Sequence, residues 1–181
     1  MSSFQDDSLE WIYEIMAESE RGGVLVACAY LEEQLTDLLK AHFLDDEKAI
    51  NSLMRPSGPL GAFSTKIKLC YLLQLIDSES YSHLETIRGI RNDFAHSHFS
   101  LTFKTDSIKD RMAAIAQDFT SVSGLEEIEI YPITIKTTGR PTSRPMNKEY
   151  WRFIFIVSSL SGTVTRKIAS LKAEQGAAAN P

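Results

Sequence analysis

The stretch Leu84-Glu-Thr-Ile-Arg-Gly-Ile-Arg-Asn-Asp-Phe-Ala-His96 leaves few folds open, because its polar and apolar residues sort cleanly only on a helix. A rotation of about 100° per residue puts Leu84, Ile87, Ile90 and Phe94 on one stripe, which must face a core. The same rotation sets Arg88, Asn92 and His96 on a neighbouring stripe and turns Arg91 back toward the apolar side. A helix over residues 79 to 97 with such a face is central to its domain. Arg91, half-covered there, cannot shed its proton and so needs a carboxylate or several carbonyls close by.

The rest of the chain supplies helices to pack around it. Leu9, Ile12 and Met16 mark a short first helix over residues 8 to 19 behind Ser8 as N-cap. From Arg21 to Phe43, the residues Val24, Cys28, Leu31, Leu35, Leu38 and Leu39 share one stripe over about six turns, despite Gly22 and Gly23 at its start. Glu32 lies at the edge of that stripe whereas Glu33 points further out, so Glu32 is the expected partner of Arg91. Asp45 or Asp46 caps a short helix through Met54, and the loop Arg55-Pro-Ser-Gly-Pro-Leu-Gly61 follows. A helix over Phe63 to Ile76, capped near Ser64, buries Ile67, Cys70, Tyr71, Leu73 and Leu75. Leu31, Leu35, Ile67, Ile87, Ile90 and Phe94 are the expected core.

Beyond His96 the period changes. Phe99 to Lys104 and Ile133 to Lys136 are apolar at alternate positions and could pair as a small two-stranded β-ribbon. Between them Ile108, Met112, Ile115 and Phe119 outline a helix over residues 105 to 119. Residues 121 to 145 are rich in proline and glycine, and the basic stretch Lys136 to Arg144 reads as a solvated surface loop ahead of a phosphate contact. A last helix over residues 147 to 172 carries Ile154, Val157, Leu160, Val164, Ile168 and Leu171 on one side. The expected architecture is all-α: a single helical domain over residues 1 to 175, with six to seven helices, the β-ribbon, and a frayed tail at 176 to 181.

Composition narrows the function. Nineteen basic residues against 24 acidic give a net charge of −5, a poor match to a polyanion, so nucleic-acid binding would need a local basic patch. No helix-turn-helix with a basic recognition helix is present. Cys28 and Cys70 lie in apolar helical patterns without metal-ligand spacing, as buried free thiols would in a reducing compartment. The acidic N-terminus has no basic leader, and the run Phe153 to Val157 is far short of a membrane span of roughly 20 residues. A cytoplasmic protein without membrane contact, metal or cofactor is expected. His42 and His83 are isolated and read as surface or core-edge residues. No phosphate-cradling glycine loop, HExxH or GxSxG is found, so most enzyme classes lack support.

Two resemblances attach to the central helix. The order of segments resembles the mannitol operon repressor family, MtlR. It rests on Leu31-Glu32 and Leu38-Leu39 of the scaffold helix, on Gly58-Pro-Leu-Gly-Ala-Phe-Ser-Thr-Lys-Ile-Lys-Leu69, and on Ile87 to His96, and covers residues 20 to 120. It implies an all-helical bacterial transcriptional regulator without a recognised DNA-reading motif, which represses through a protein partner or an unusual nucleic-acid contact. Secondly, Arg91-Asn-Asp-Phe-Ala-His96 is similar to the motif of HEPN domains, helical dimers many of which are metal-independent ribonucleases. That likeness implies Arg91 stabilising phosphate charge, His96 as general acid or base, and Asn92 orienting them.

On a regular helix Arg91 and His96 are about 140° apart, so one phosphate reaches both only if the helix ends near His96 or a second subunit supplies one of them. The competing reading is a structural polar network of Glu32, Arg88 and Arg91, with Asn92 bridging and His96 bonded to a carbonyl at the helix end. A regulator leads over a HEPN-like ribonuclease and over an inactive scaffold. A homodimer is expected, since so many amphipathic helices would otherwise leave apolar faces in water.

Overall fold

The longest apolar stripes of the sequence do become the longest helices. In the computed structural model, residues 11, 12, 15 to 117, 119 and 147 to 178 are described. Six helices are bounded among them: α1 (Glu20–His42), α2 (Glu47–Met54), α3 (Phe63–Leu72), α4 (Ser78–His96), α5 (Asp106–Ala116) and α6 (Lys148–Ala178). Residues 15 to 17 add a helical turn before α1. No strand occurs among the described residues, and the fold is all-α. Nor is any of these helices long and apolar enough to cross a membrane.

Contacts group the chain into two compact units, Met1–Ala27 with Gly89–Ser158, and Cys28–Arg88 with Ser159–Pro181. The first is built on an aromatic cluster. Phe103 stands 5.4 Å from Phe94, 5.3 Å from Tyr150 and 5.3 Å from Phe153 between ring centroids, distances at which tilted rings attract edge to face. Ile90, Ile108 and Met112 are also fully buried. Tyr150 reaches under the start of α1, where its hydroxyl donates to the Ile15 carbonyl at 2.7 Å. A Cβ on Gly23 would collide with that hydroxyl, so a glycine in the first turn of α1 is what admits the ring. Ser19 caps this helix by accepting from the Gly22 N–H at 3.0 Å.

In the second unit Leu31, Leu35, Leu38, Leu39, Ile67, Leu84 and Ile87 are fully buried. All six expected core residues are buried completely, four of them in this unit. Asp46 caps α2, accepting from the Ala49 N–H at 2.9 Å. Asp77 does the same for α4 through the Ser80 N–H at 2.7 Å.

Several boundaries differ from those read in sequence. Helix α3 starts after Ala62, which makes no side-chain cap, and ends at Leu72 rather than Ile76. Gln74 sits at φ 56°. Its N–H bonds to Tyr71 O and that of Leu75 to Cys70 O, the paired bonds of a Schellman stop. The turn leaves Tyr71 39% and Leu72 74% exposed, where burial was expected of Tyr71. Helix α6 continues through Ala178, past the point where a frayed tail was expected. Residues 99 to 104, expected as half of a β-ribbon, form loop and turn; the other half, 133 to 136, and the basic loop 136 to 144 lie outside the described residues. Alternation there has another cause: Phe103 plugs the aromatic cluster while Phe99 stays in solvent, 85% exposed.

Candidate functional site

Helix α4 carries the polar residues singled out in the sequence, and the structure gives each its own partner. Arg88 donates to Glu85 Oε2 from Nη2 at 2.7 Å and from Nε at 3.2 Å, one turn back on the same helix. The other Glu85 oxygen is buried without a partner among the described residues. Arg91 is half-buried, as its place on the wheel requires, and its Nη1 donates to Asn92 Oδ1 at 3.2 Å. Asp93 takes the guanidinium of Arg111 from α5 at 2.8 Å. Gly89 belongs to this arrangement, since a Cβ there would stand 3.2 Å from Arg111 Nη1. His96 is the last residue of α4 and is exposed.

Glu32 does not serve Arg91. Its carboxylate is taken by Lys66 of α3, with Nζ to Oε1 at 2.9 Å. Lys66 is 6% exposed as a residue, the one lysine among the buried residues described. The expected network of Glu32, Arg88 and Arg91 is thus three separate pairings: Glu32 with Lys66, Arg88 with Glu85, and Arg91 with Asn92. The signal for Lys66 was present in the sequence. It precedes Cys70 by four residues, hence on the buried stripe of α3, whereas Lys68 turns away from it.

Past His96 the chain folds against the start of α1 and leaves a cleft of about 560 Å³. Ser19, Glu20 and Arg21 form one wall, and residues His98 to Thr102 the other. The loop is tied down at several points. Arg21 Nη2 donates to the Ser97 carbonyl at 2.7 Å and to the Phe99 carbonyl at 3.2 Å. Ser97 Oγ accepts from the Phe99 N–H at 3.1 Å and donates to its carbonyl at 3.0 Å. Glu20 Oε2 accepts from the Phe103 N–H at 2.7 Å. From sequence, Arg21 only opens a helix, Phe99 only opens an alternating run and His98 carries no signal, because nothing in periodicity brings residues 76 positions apart together.

Among the described residues no group of three His, Cys, Asp or Glu could hold a metal ion. Burial pushes the Cys70 thiol up to about 12, so it stays protonated and unreactive. His83, expected at the surface or core edge, is 2% exposed on α4.

Comparison with known proteins decides the family. The model of the mannitol repressor family matches residues 5–132, well over half of the chain. The chain belongs to the mannitol repressor family. The mannitol operon repressor of Escherichia coli K12 is 28% identical over 92 residues, 49% of this chain and 47% of that protein, and the same repressor from Escherichia coli O6:H1 matches equally. The chain thus spans about half the length of the relatives it matches by sequence. In fold, a chain of the X-ray structure of the MtlR–HPr complex from Escherichia coli matches with a TM-score of 0.54 and 19% identity, over 91% of this chain and 97% of that one. A possible transcriptional regulator, YggD from Shigella flexneri 2a, matches with a TM-score of 0.64 and 16% identity, over 91% and 98%. At such identities the likeness is one of fold. None of these matches is to a HEPN ribonuclease, and the resemblance of Arg91 to His96 to that motif gains no support from them.

Proposed function

We propose that this chain is a transcriptional regulator of the MtlR type that represses through a protein partner, with genes for mannitol use as its target. The family match over residues 5–132 carries the reading. A net charge of −5 supports a protein partner over direct capture of DNA, whose phosphates would repel the chain at long range. So does the structure of a relative solved as a complex with HPr, which makes HPr the first partner to test. The same reading includes a cytoplasmic homodimer joined through apolar helix faces.

The test has two arms. Transcripts for mannitol uptake should rise in a strain lacking this gene and fall again on complementation. Calorimetric titration of the purified chain with HPr from the same host should show saturable binding. Unchanged transcripts would remove the target; absence of binding would remove the partner. Light scattering on the eluting protein checks the dimer separately, and a monomer mass would discard it.

A further inference from the structure

Arg88, Arg91, Arg111 and Arg152 are the half-buried arginines among the described residues, and all but one meet a carboxylate of this chain. Arg88 takes Glu85 at 2.7 Å, Arg111 takes Asp93 at 2.8 Å and Arg152 takes Glu149 at 2.8 Å, while the buried Lys66 takes Glu32. Arg91 is the exception. Its one bond among the described residues runs from Nη1 to the neutral Asn92 Oδ1 at 3.2 Å, and neither Nε nor Nη2 has a partner there. A guanidinium keeps its charge at any ordinary pH, so covering it without a counter-charge costs free energy that the other arginines recover from their carboxylates.

The unused donors lie on the edge of the group that recognises oxyanions. Nε–H and Nη2–H point the same way from one side of the guanidinium plane, where they hold the oxygens of a carboxylate or phosphate side-on. One turn back, Arg88 uses that same edge, donating from both Nε and Nη2 to Glu85. In Arg91 the Asn92 amide engages Nη1 instead, which steadies the fork and leaves the edge open. Ile87, one turn before Arg91, is fully buried and Ala95, one turn after it, is exposed, so Arg91 stands where the apolar stripe of α4 meets water. An ion can reach it. On a chain of net charge −5, anions are held only where a cation is presented locally.

We infer that Arg91 is an oxyanion-binding residue, whose Nε–Nη2 edge takes a phosphate or carboxylate group side-on while Asn92 holds the guanidinium in place. Such binding moves no proton and gives His96, about 140° round the helix, no part.

The test follows the side-chain Nε–H signals of the arginines in nuclear magnetic resonance spectra of the isotope-labelled full chain, at fixed ionic strength, as inorganic phosphate is added. Loss of a signal in Arg91→Lys, Arg88→Lys and Arg166→Lys assigns the three that matter. Arg88 has its edge filled, and Arg166 is an exposed arginine bonded to Thr163 on its own helix. The Arg91 signal should move to saturation, with Arg88 still and Arg166 following only the bulk phosphate concentration. In Arg91→Lys, shown to be folded by its melting curve, the phosphate affinity read from backbone amides of α4 should fall on the order of tenfold, because the charge remains and the edge is gone. An Arg91 signal that stays still, or moves no more than that of Arg166, overturns the site. Undiminished affinity in Arg91→Lys overturns it as well. HPr added to the phosphate-loaded chain then reads the source of the group: displacement of phosphate assigns it to a partner's side chain, and an unchanged spectrum to a free small anion. Phosphate tests the site whether or not HPr binds, so its failure is distinct from failure of the partner reading.

Discussion

Glu32→Gln and Lys66→Met each remove one end of the same ion pair, yet the structure makes their costs unequal. The Lys66 side chain is 8% exposed and that of Glu32 is 30% exposed, with 2.9 Å between nitrogen and oxygen. At an effective dielectric constant of 20, two unit charges that close attract by about 6 kcal/mol, much of it offset by desolvation of the ammonium. In Glu32→Gln the ammonium stays covered and charged and keeps only an amide oxygen as acceptor. Breaking a pair from that side costs up to about 5 kcal/mol when both ends are buried, and about 2–3 kcal/mol here because the amide still accepts a hydrogen bond. In Lys66→Met an unbranched apolar chain replaces the lysine stem, and the Glu32 carboxylate relaxes into the water it already touches. That change should cost under about 1 kcal/mol. Urea denaturation distinguishes the two: with m near about 2 kcal/mol/M, Glu32→Gln lowers the midpoint by about 1 M or slightly more and Lys66→Met by under about 0.5 M. An equal or larger loss for Lys66→Met would refute the account, since the lysine would then contribute more as a charge than its burial costs.

Two further substitutions test the turn between α3 and α4. Gln74→Gly should raise stability by about 0.5–1 kcal/mol, because a glycine at φ 56° escapes the left-handed penalty; a lower urea midpoint would show that the Gln74 side chain has a role there. Asp77→Ala should cost about 1 kcal/mol at neutral pH through loss of the α4 cap. The Asp77 carboxyl is held below its ordinary value, first by the Ser80 backbone N–H and then by the Ser80 side chain, with His83 adding to the effect and burial opposing it. A depressed folded value means that this stability is present above the unfolded pKa and is lost as pH falls through the folded one. The difference between wild type and Asp77→Ala should therefore close on acidification below about pH 4, and a gap independent of pH would exclude the carboxylate as its source.

What the sequence disclosed and what it hid divide by the range of the interaction. Helices α1, α2, α4 and α6 and the core residues were legible because a stripe at helical period, or an Asp one residue before it, is a local pattern that packing then reinforces. The end of α3 was not, because Tyr71, Leu72, Leu73 and Leu75 look like more of the same stripe, while the stop is a left-handed Gln74 in place of the usual glycine. Lys66 went unremarked among the core positions although its register places it inside, because a buried lysine is not expected unless its carboxylate is already known.

The loop after α4 was the hardest to read. Phe99, Leu101 and Phe103 alternate as a strand would, yet only Phe103 is fully buried, and Leu101 is half-covered. A ring placed outward has no intramolecular pattern to satisfy, so periodicity assigns it to the nearest familiar template. Its exposure is held by bonds to Glu20 and Arg21, more than 75 residues earlier in the chain, and those bonds fix backbone rather than side chain. Those bonds set the path of the connection between α4 and α5, and an outward ring on such a path is a surface residue that periodicity alone cannot tell from one face of a strand.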